Sequence, residues 1–323
     1  MKALVTGAAG YIGSTLTDRL LSEGHQVIGV DNLSTGRKEF LSNALTQNQF
    51  RWAERDLFQE NALQGILTPD VDWVFHLAAN ADVKEGLKHP RKDLEQNTIV
   101  TWNILEAMRR CGVTQIAFSS TGSVYGEATM IPTPETCPFP IQTSLYGASK
   151  LAGESLISAY AEGYGFFGLI FRFVSILGER YTHGHVFDFV KRLKEDPSAL
   201  TILGNGKQKK SYLYIGDCVN AVLHAIRSPR TKPVEIFNLG TDEYVEVNQS
   251  IDCICQELGL NPRREFTGGD RGWIGDNPFI WLDCAKIRSL GWHPEKSIRE
   301  SIQLTVRYLV ANPWLFRERA VTA

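Results

Sequence analysis

Apolar and polar positions alternate in two different rhythms along the first half of the chain. Six short runs rich in β-branched and aromatic residues predict β-strands at 2–6, 26–31, 50–54, 72–78, 115–120 and 167–173. Segments with helical periodicity lie between them, and the clearest predict helices at 12–22, 93–110 and 146–163. Strands that alternate with helices form a parallel sheet covered on both faces. The pattern therefore predicts an α/β fold with a Rossmann-type, doubly wound parallel sheet.

This regular alternation ends after residue 172. Gly, Pro and charged residues then become frequent, and short helices and strands follow without strict order. Residues 212–240 return to a helix followed by a strand and are expected to rejoin the sheet. The sequence thus predicts two interleaved domains. A Rossmann domain comprises 1–172 and about 212–240, and a smaller α/β substrate-binding lobe comprises about 173–211 and 241–323.

Composition narrows the class of protein. A chain of 323 residues with 43% hydrophobic content can bury a large core. The formal net charge is −2 and the charges of both signs are mixed, so nucleic acid is not an expected partner. Glycines interrupt the apolar start of the chain, which favours a buried strand over a signal peptide. No apolar run reaches the roughly 18 residues of a membrane span, so a soluble, cytoplasmic protein is expected.

The cysteines and histidines do not predict a metal site. Six cysteines are scattered without the paired spacing of a zinc site, and they are expected to be reduced and mostly buried; they lie at 111, 137, 218, 253, 255 and 284. His183 and His185 lie two residues apart with no third ligand nearby. His76 lies on an apolar strand and is interpreted as a core residue with satisfied hydrogen bonds.

Three glycines mark the turn between the first predicted strand and its helix. At Gly7, Gly10 and Gly13, the missing side chains permit a tight turn and a close approach of backbone to a pyrophosphate. The N–H groups at the start of the helix can then receive the negative charge. The second strand ends at Asp31, whose carboxylate can accept hydrogen bonds from both ribose hydroxyls and repel a 2′-phosphate. The pattern predicts a site for NAD rather than NADP.

Two further residues follow the third predicted strand. Asp56 and Leu57 are candidates for contact with adenine, although an ordinary aspartate at a strand end explains the pattern equally well.

A candidate catalytic group combines a tyrosine, a lysine and a threonine. Tyr146 and Lys150 are four residues apart on a predicted helix and therefore share one of its faces. For a tyrosine to act as a base near neutral pH, its pKa must fall from about 10 to about 7, at a cost of about 4 kcal/mol. Lys150 and the positive nicotinamide ring can supply that bias. Thr121 follows a strand end, where its hydroxyl can share a hydrogen bond between Tyr146 and a substrate oxygen.

Together with other motifs, these residues resemble the extended short-chain dehydrogenase/reductase family, and within it the UDP-glucose 4-epimerase group of nucleotide-sugar enzymes. The matching motifs cover almost the whole chain: GAAGYIG (7–13), DNLSTG (31–36), HLAA (76–79), SSTGSVYG (119–126), YGASK (146–150), FRF (171–173), GNGKQKKSYLYIGD (204–217) and RGWIGD (271–276). The resemblance implies that NAD is bound by Gly7, Gly10, Tyr11, Ile12, Gly13, Asp31, Asn32, Asp56, Leu57, Leu77, Ala78, Ala79, Asn97, Tyr146 and Lys150.

The same resemblance implies a 4-epimerase reaction on a UDP-hexose. In that reaction a tyrosinate takes the proton of the sugar 4-hydroxyl while hydride passes from C4 to NAD. The 4-keto sugar then turns about its pyrophosphate, and hydride returns to the opposite face. UDP-glucose and UDP-galactose are the expected pair. The helices predicted at 93–110 and 146–163 resemble those that pair across a two-fold axis in the family, which implies a homodimer.

Other activities of the family are weighed against the residues after Thr121. The family's 4,6-dehydratases have Asp-Glu there, and its decarboxylases have a Glu at the second position. Gly122 and Ser123 occupy these places and cannot perform that acid–base chemistry. UDP-glucuronate 4-epimerase, and a dehydrogenase or reductase with exchangeable cofactor, remain alternatives. A catalytically inactive sensor is disfavoured because Tyr146 and Lys150 are both present.

The resemblance also implies a set of contacts to the nucleotide sugar, formed by Thr121, Ser175, Lys210, Tyr212, Arg271, Asp276 and Trp281. Ser175 replaces an Asn of the family, and Lys210 replaces an Arg, so a bidentate contact to the pyrophosphate is lost. Arg271 is then the expected phosphate clamp. Trp281 is expected where bulky residues exclude an N-acetyl group, which favours an unacetylated hexose. A uronate would require an Arg or a polar cluster in the sugar pocket, and the sequence locates neither.

Overall fold

The computed structural model describes residues 1–81, 83–138, 141–269 and 279–317. Its strands are β1 (Lys2–Thr6), β2 (Gln26–Asp31), β3 (Phe50–Glu54), β4 (Trp73–His76), β5 (Gln115–Thr121), β6 (Phe167–Phe173), β7 (Ser175–Leu177), β8 (Ala199–Ile202), β9 (Lys209–Lys210), β10 (Tyr212–Tyr214), β11 (Val234–Leu239), β12 (Val245–Glu246) and β13 (Arg263–Phe266).

The α-helices lie mainly between these strands. They are α1 (Tyr11–Ser22), α2 (Val83–Lys88), α3 (Pro90–Asp93), α4 (Val100–Cys111), α5 (Leu145–Tyr164), α6 (His185–Glu195), α7 (Ile215–Arg227), α8 (Val247–Leu258), α9 (Ala285–Ser289) and α10 (Ile298–Ala311). A π-helical segment, Leu94–Ile99, joins α3 to α4. None of the described helices is long and apolar enough to cross a membrane.

Seven of the described strands form one parallel sheet in the order β11-β6-β5-β4-β1-β2-β3. The strand order reverses between β1 and β4, because the chain adds strands on one side of β1 first and on the other side afterwards. A crevice forms at the carboxyl ends of strands at such a switch point, and ligands of open α/β sheets bind there. The predicted Rossmann-type α/β class is confirmed by this topology.

Predicted and observed strands agree closely. Four of the six predicted strands have the observed bounds, whereas β4 is shorter than the predicted 72–78. Just beyond its end, the backbone amides of Leu77 and Ala78 donate to the Thr6 hydroxyl, at 3.1 and 3.2 Å. The segment expected to rejoin the sheet supplies β11, which pairs with β6 in parallel. The bounds of the two domains remain a prediction.

Both faces of the large sheet are covered by apolar side chains. Ala3 and Val5 point into one buried cluster, which includes residues of α1 and α7, and Leu4 points into another, which includes residues of α4 and α5. Burial on both faces explains why the strands read as nearly continuous apolar runs. A third cluster lies outside the sheet, where β8, α6, α8 and α10 pack together through residues such as Ile254 and Ile302.

The helix predicted at 93–110 differs from the observed one. The segment is helical throughout, but Leu94–Ile99 forms a π-helical turn. The hydroxyl of Thr101, in the first turn of α4, donates to the carbonyl of Asn97 in this turn at 2.6 Å, and the Asn97 side chain lies in the interior with 1% exposure. Such π turns are rare and frequently lie at functional sites. Helices α1 and α5 begin and end within one residue of the predicted 12–22 and 146–163. All six cysteines are free thiols, four of them buried.

Candidate active site

A cleft of about 880 Å³ opens at the carboxyl edge of the large sheet. The ends of β1, β2, β4, β5 and β6 form one wall, and residues of α6, β9 and β10 form the other. Most of the residues predicted from the sequence line this one cleft: Gly7, Gly10, Tyr11, Ile12, Gly13, Asp31, Asn32, Asp56, Leu57, Leu77, Ala78, Ala79, Thr121, Tyr146, Ser175, Lys210 and Tyr212. The crevice at the topological switch point is therefore the candidate active site.

The glycine turn shapes the crevice between β1 and β4. Gly7 has φ +68°, and a Cβ there would lie 2.7 Å from the backbone nitrogen of Ala78. A Cβ on Gly13 would lie only 2.0 Å from the carbonyl oxygen of Gly7. Gly10 precedes α1 and has no capping side chain. Because no side chain caps this end of α1, its first N–H groups can receive a pyrophosphate directly.

The Asp31 carboxylate is held rigidly at the end of β2. It is 7% exposed and lines the cleft. One oxygen accepts from the amide of Ala9 at 3.0 Å, and the other accepts from the amide of Leu33 at 2.8 Å. A carboxylate fixed in this way suits a ribose diol and repels a 2′-phosphate. The turn and the carboxylate together fit NAD.

The loop after β3 closes the neighbouring end of the cleft. Asp56 accepts a hydrogen bond from the amide of Phe58 at 3.0 Å. Asn103 of α4 donates to the carbonyl oxygens of Leu57 and Phe58, at 2.9 and 3.1 Å. The loop is thereby fixed to α4, with Asp56 and Leu57 facing the cleft.

The candidate catalytic residues lie on β5 and α5. Thr121 is the last residue of β5, and Tyr146 and Lys150 lie in the first two turns of α5. The Thr121 hydroxyl oxygen accepts from the amide of Ser123 at 3.1 Å, so its proton can go to Tyr146. Lys150 is 2% exposed, and its Nζ lies 4.4 Å from the centroid of the Phe118 ring.

The pKa values of Tyr146 and Lys150 differ from those expected from the sequence. Burial raises the pKa of Tyr146 to about 12, and the hydrogen bond with Thr121 opposes that rise. Burial lowers the pKa of Lys150 to about 7, against the attraction of Glu154. The charge of Lys150, which was expected to depress the pKa of Tyr146, is not among the groups that shift it, and the charge of Asp93 raises it further. The positive nicotinamide ring is the other half of the predicted bias.

Asn97 and Lys150 are not on the wall of the cleft, although both were predicted to contact NAD. The Asn97 side chain accepts from the amide of Asn80 at 2.8 Å and donates to the Ser149 hydroxyl at 2.9 Å. Asn97 thus connects the segment after β4 to α5, directly beside the catalytic pair. Its contacts are those of a residue that positions its neighbours.

The predicted substrate residues divide into three groups. Ser175 and Tyr212 are paired in register between β7 and β10, and Lys210 lies at the end of β9; all three line the cleft. Trp281 instead packs against Tyr244, with ring centroids 5.3 Å apart, and its indole N–H donates to the Thr241 carbonyl. Arg271 and Asp276 lie outside the described residues.

Three polar residues on one face of α6 line the cleft, and the sequence analysis did not predict them as site residues. His185, Asp188 and Arg192 face the cleft, while Val186 and Val190 are buried in the core on another side of the helix. The signal was the spacing i, i+3, i+7, which places the three polar residues on one face. Burial lowers the pKa of His185 to about 3, with the charge of Lys210 acting in the same direction. His185 is therefore a neutral hydrogen-bonding group.

The position after Thr121 has no room for a side chain. A Cβ on Gly122 would lie 2.8 Å from Cγ2 of Ile280 and 3.3 Å from the carbonyl oxygen of Phe173. An aspartate here would require the packing behind β5 to change. The dehydratase acid is thus absent, and a side chain in its place would require Ile280 to move.

The chain is similar to known proteins along almost its whole length. The model of the NAD dependent epimerase/dehydratase family matches residues 3–240. The UDP-glucose 4-epimerase of Mycolicibacterium smegmatis is 34% identical over 317 residues, covering 95% of this chain and 98% of that protein.

Solved structures of nucleotide-sugar epimerases are also similar to the chain over almost its whole length. The UDP-glucose 4-epimerase of Thermotoga maritima with UDP-glucose is 32% identical, with a TM-score of 0.86 and coverage of 97% of this chain and 100% of that one. The UDP-glucuronic acid 4-epimerase of Bacillus cereus, in complex with UDP-glucuronic acid and NAD, is 28% identical. Its TM-score is 0.87, with coverage of 96% and 99%.

Proposed function

Because the chain belongs to the NAD-dependent epimerase/dehydratase family, we propose that it interconverts UDP-glucose and UDP-galactose. The protein is an NAD-dependent nucleotide-sugar 4-epimerase of the extended short-chain dehydrogenase/reductase family. The relatives include enzymes of both UDP-glucose and UDP-glucuronate. The identity of the sugar and the roles of individual residues are therefore the content of the proposal.

Bound NAD supplies a hydride acceptor that later becomes the donor. The glycine turn and Asp31 hold the dinucleotide at the switch point. Tyr146 takes the proton of the sugar 4-hydroxyl, and Thr121 donates a hydrogen bond that orients the phenol and the reacting oxygen. Lys150, one helical turn from Tyr146, favours the tyrosinate when it is protonated.

Two half-reactions complete the epimerisation. In the first, the C4–H and O–H bonds of the sugar break, which leaves a 4-keto sugar and a protonated Tyr146. The keto sugar turns so that its other face meets the cofactor. In the second, C4 regains its hydride and Tyr146 returns the proton to the oxygen, so no net oxidation occurs. This turn requires the nucleotide diphosphate to stay bound, a role suited to Lys210 and Arg192 in the cleft.

The observation that favours a hexose over a uronate is the chemistry of the wall near Tyr146. Around the carboxyl ends of β5 and β6, the described lining consists of hydroxyl groups and apolar side chains, namely Ser120, Thr121, Ser123, Phe173 and Val174. Hydroxyls suit the 6-hydroxymethyl group of a hexose. A C6 carboxylate placed there would have hydroxyl donors but no cation among those residues, and a charge out of water is costly without a charged partner.

The proposal predicts the order of activity on three UDP-sugars. With no added NAD, UDP-galactose is expected to be converted to UDP-glucose at least about tenfold faster than UDP-glucuronate is epimerised, a difference of about 1.4 kcal/mol. UDP-N-acetylglucosamine is expected to react more slowly than UDP-galactose, as the resemblance at Trp281 implies, although Trp281 is not among the described residues that line the cleft. Products are resolved by chromatography and identified by NMR. Faster turnover of UDP-glucuronate would overturn the hexose assignment and leave the enzyme class intact.

The proposal carries two further expectations from the sequence. The protein is expected to be cytoplasmic, and it is expected to form a homodimer through α4 and α5, which light scattering of the purified protein measures.

A further inference from the structure

A continuous chain of buried hydrogen bonds passes through His76, the last residue of β4. The imidazole is 0% exposed. Its Nδ1 lies 3.0 Å from the hydroxyl oxygen of Thr6, at the end of β1, and its Nε2 lies 2.9 Å from the hydroxyl oxygen of Thr101 on α4. Both threonines are 0% exposed as well. His76 therefore links two elements that lie on opposite sides of the ring.

The hydrogen bonds of Thr6 and Thr101 determine which ring nitrogen of His76 carries the proton. The Thr6 hydroxyl oxygen already accepts from the amides of Leu77 and Ala78, so its proton must go to Nδ1 of His76. The Thr101 hydroxyl donates to the Asn97 carbonyl at 2.6 Å, so its oxygen must accept from Nε2. Both contacts independently give the same tautomer, with the proton on Nε2.

The surroundings of the ring keep it neutral. Burial lowers the pKa of His76 well below its usual value, and the charge of Lys150 acts in the same direction. The Phe118 ring lies between them, with its centroid 5.3 Å from that of His76 and 4.4 Å from Nζ of Lys150. The groups facing His76 from β1 and α4 are hydroxyls. No described neighbour of opposite charge compensates an imidazolium here.

One end of the chain of hydrogen bonds reaches the cofactor crevice. Through Thr6, it fixes the amides of Leu77 and Ala78, which line the cleft. These backbone atoms lie against Gly7, where a Cβ would be 2.7 Å from the Ala78 nitrogen. The position of the floor of the crevice is thus set by the hydroxyl that His76 orients.

The other end reaches the catalytic helix. Thr101 donates to the carbonyl of Asn97 in the π-helical turn, and the Asn97 side chain donates to the Ser149 hydroxyl at 2.9 Å. Ser149 in turn donates to the carbonyl of Tyr146 at 2.8 Å. Every side chain in this path is at most 7% exposed. The path therefore ends on the backbone of the candidate catalytic tyrosine.

We propose that His76 is a positioning residue that fixes the dinucleotide crevice relative to the catalytic helix α5. Its Nδ1 acts on the cofactor side, and its Nε2 acts on the helix side. A simple core histidine would satisfy its own hydrogen bonds without linking two functional elements. This role for His76 adds a positioning residue to the proposed epimerase reaction, and its turnover measurement rests on that proposed function. The measurements of NAD release and of ring protonation depend on His76 and NAD alone.

Two amide variants separate the two sides of the ring. His76→Asn places an acceptor near the position of Nδ1, and His76→Gln places a donor near the position of Nε2. His76→Asn is expected to release NAD at the wild-type rate and to lose turnover by about threefold to tenfold, the effect of about one hydrogen bond. His76→Gln is expected to release NAD about threefold to tenfold faster and to keep turnover when NAD is saturating.

A second pair of variants leaves His76 unchanged and replaces the threonines on either side of it. Thr6→Val and Thr101→Val each remove one side of the chain of hydrogen bonds with little change of shape, and the same division between NAD release and turnover is expected. These variants decide the question if the histidine variants fail to fold. Equal losses of NAD binding and turnover in both members of a pair would overturn the proposal, because they would indicate a purely structural role.

The tautomer is measured directly by nitrogen NMR of histidine-labelled protein, with the His76 signals assigned from their absence in His76→Gln. One protonated nitrogen, Nε2, and one unprotonated nitrogen, Nδ1, are expected between about pH 6.5, the ordinary pKa of an imidazole, and about pH 9. A proton on Nδ1, or two protonated nitrogens within that range, would contradict the assigned hydrogen bonds. If the wild-type protein epimerises none of the UDP-sugars, the proposed function fails. The NMR and NAD-release results still decide the role of His76.

Discussion

Replacement of Tyr146 by phenylalanine is expected to lower epimerisation by about 10²–10⁴-fold, the usual contribution of a general acid or base. The phenyl ring keeps the shape of the side chain that lines the cleft but can neither take nor return the proton of the 4-hydroxyl. Because the glycine turn and Asp31 are unchanged, the variant is expected to retain NAD. Turnover is measured with UDP-galactose, and bound NAD is measured in the purified protein.

The matched control for this variant is on the same helix. Tyr160 lies near the far end of α5, is 8% exposed and donates to Glu106 at 2.6 Å. Tyr160→Phe also removes a hydrogen-bonded phenol hydroxyl, but away from the cleft, so wild-type turnover is expected. Activity of Tyr146→Phe within about threefold of the wild type would show that another group moves the proton.

Replacement of Arg172 by methionine is expected to lower the free energy of unfolding by about 3–5 kcal/mol, because it leaves a buried carboxylate without its partner. Arg172 is 1% exposed and Glu154 is 4% exposed. The guanidinium donates to both carboxylate oxygens, at 3.0 and 2.6 Å, and a third donor reaches the Tyr125 hydroxyl at 2.7 Å. Urea unfolding followed by circular dichroism, at a fixed NAD concentration, measures the loss.

A double variant tests the cause of that loss. Arg172→Met combined with Glu154→Leu removes both charges and fills the space with apolar atoms, so it is expected to recover most of the stability lost in the single variant. A double variant as unstable as Arg172→Met would show that packing, rather than the unpaired carboxylate, accounts for the effect. A loss below about 1 kcal/mol in the single variant would mean that water reaches Glu154.

The parts of the site that depend on local sequence could be predicted. The turn at Gly7 and the carboxylate of Asp31 follow directly from a strand, a glycine pattern and the end of the next strand, and both lie in the crevice. The spacing of Tyr146 and Lys150 gave the correct helix because a helical repeat is a local property. The same holds for the strands of the sheet, whose apolar runs reflect burial on both faces.

The parts that depend on tertiary context could not be predicted. The π-helical turn around Asn97 has no local signal, because it depends on contacts with Asn80 and Ser149 from other elements. The high pKa of Tyr146 depends on burial, which the spacing of residues does not reveal. His76 was interpreted as a satisfied core residue. Its hydrogen bonds are indeed satisfied, but only the fold shows which two elements they connect.

The most direct test of the account follows the hydrogen at C4 of the sugar. UDP-galactose carrying deuterium at C4 is incubated with the purified enzyme without added NAD, and the UDP-glucose formed is examined by NMR and mass spectrometry. The account predicts that the product keeps the deuterium at C4, with no accumulation of reduced cofactor. Loss of the label from C4 of the UDP-glucose would contradict internal hydride return, and one reduced cofactor formed for each sugar consumed would indicate a net dehydrogenase.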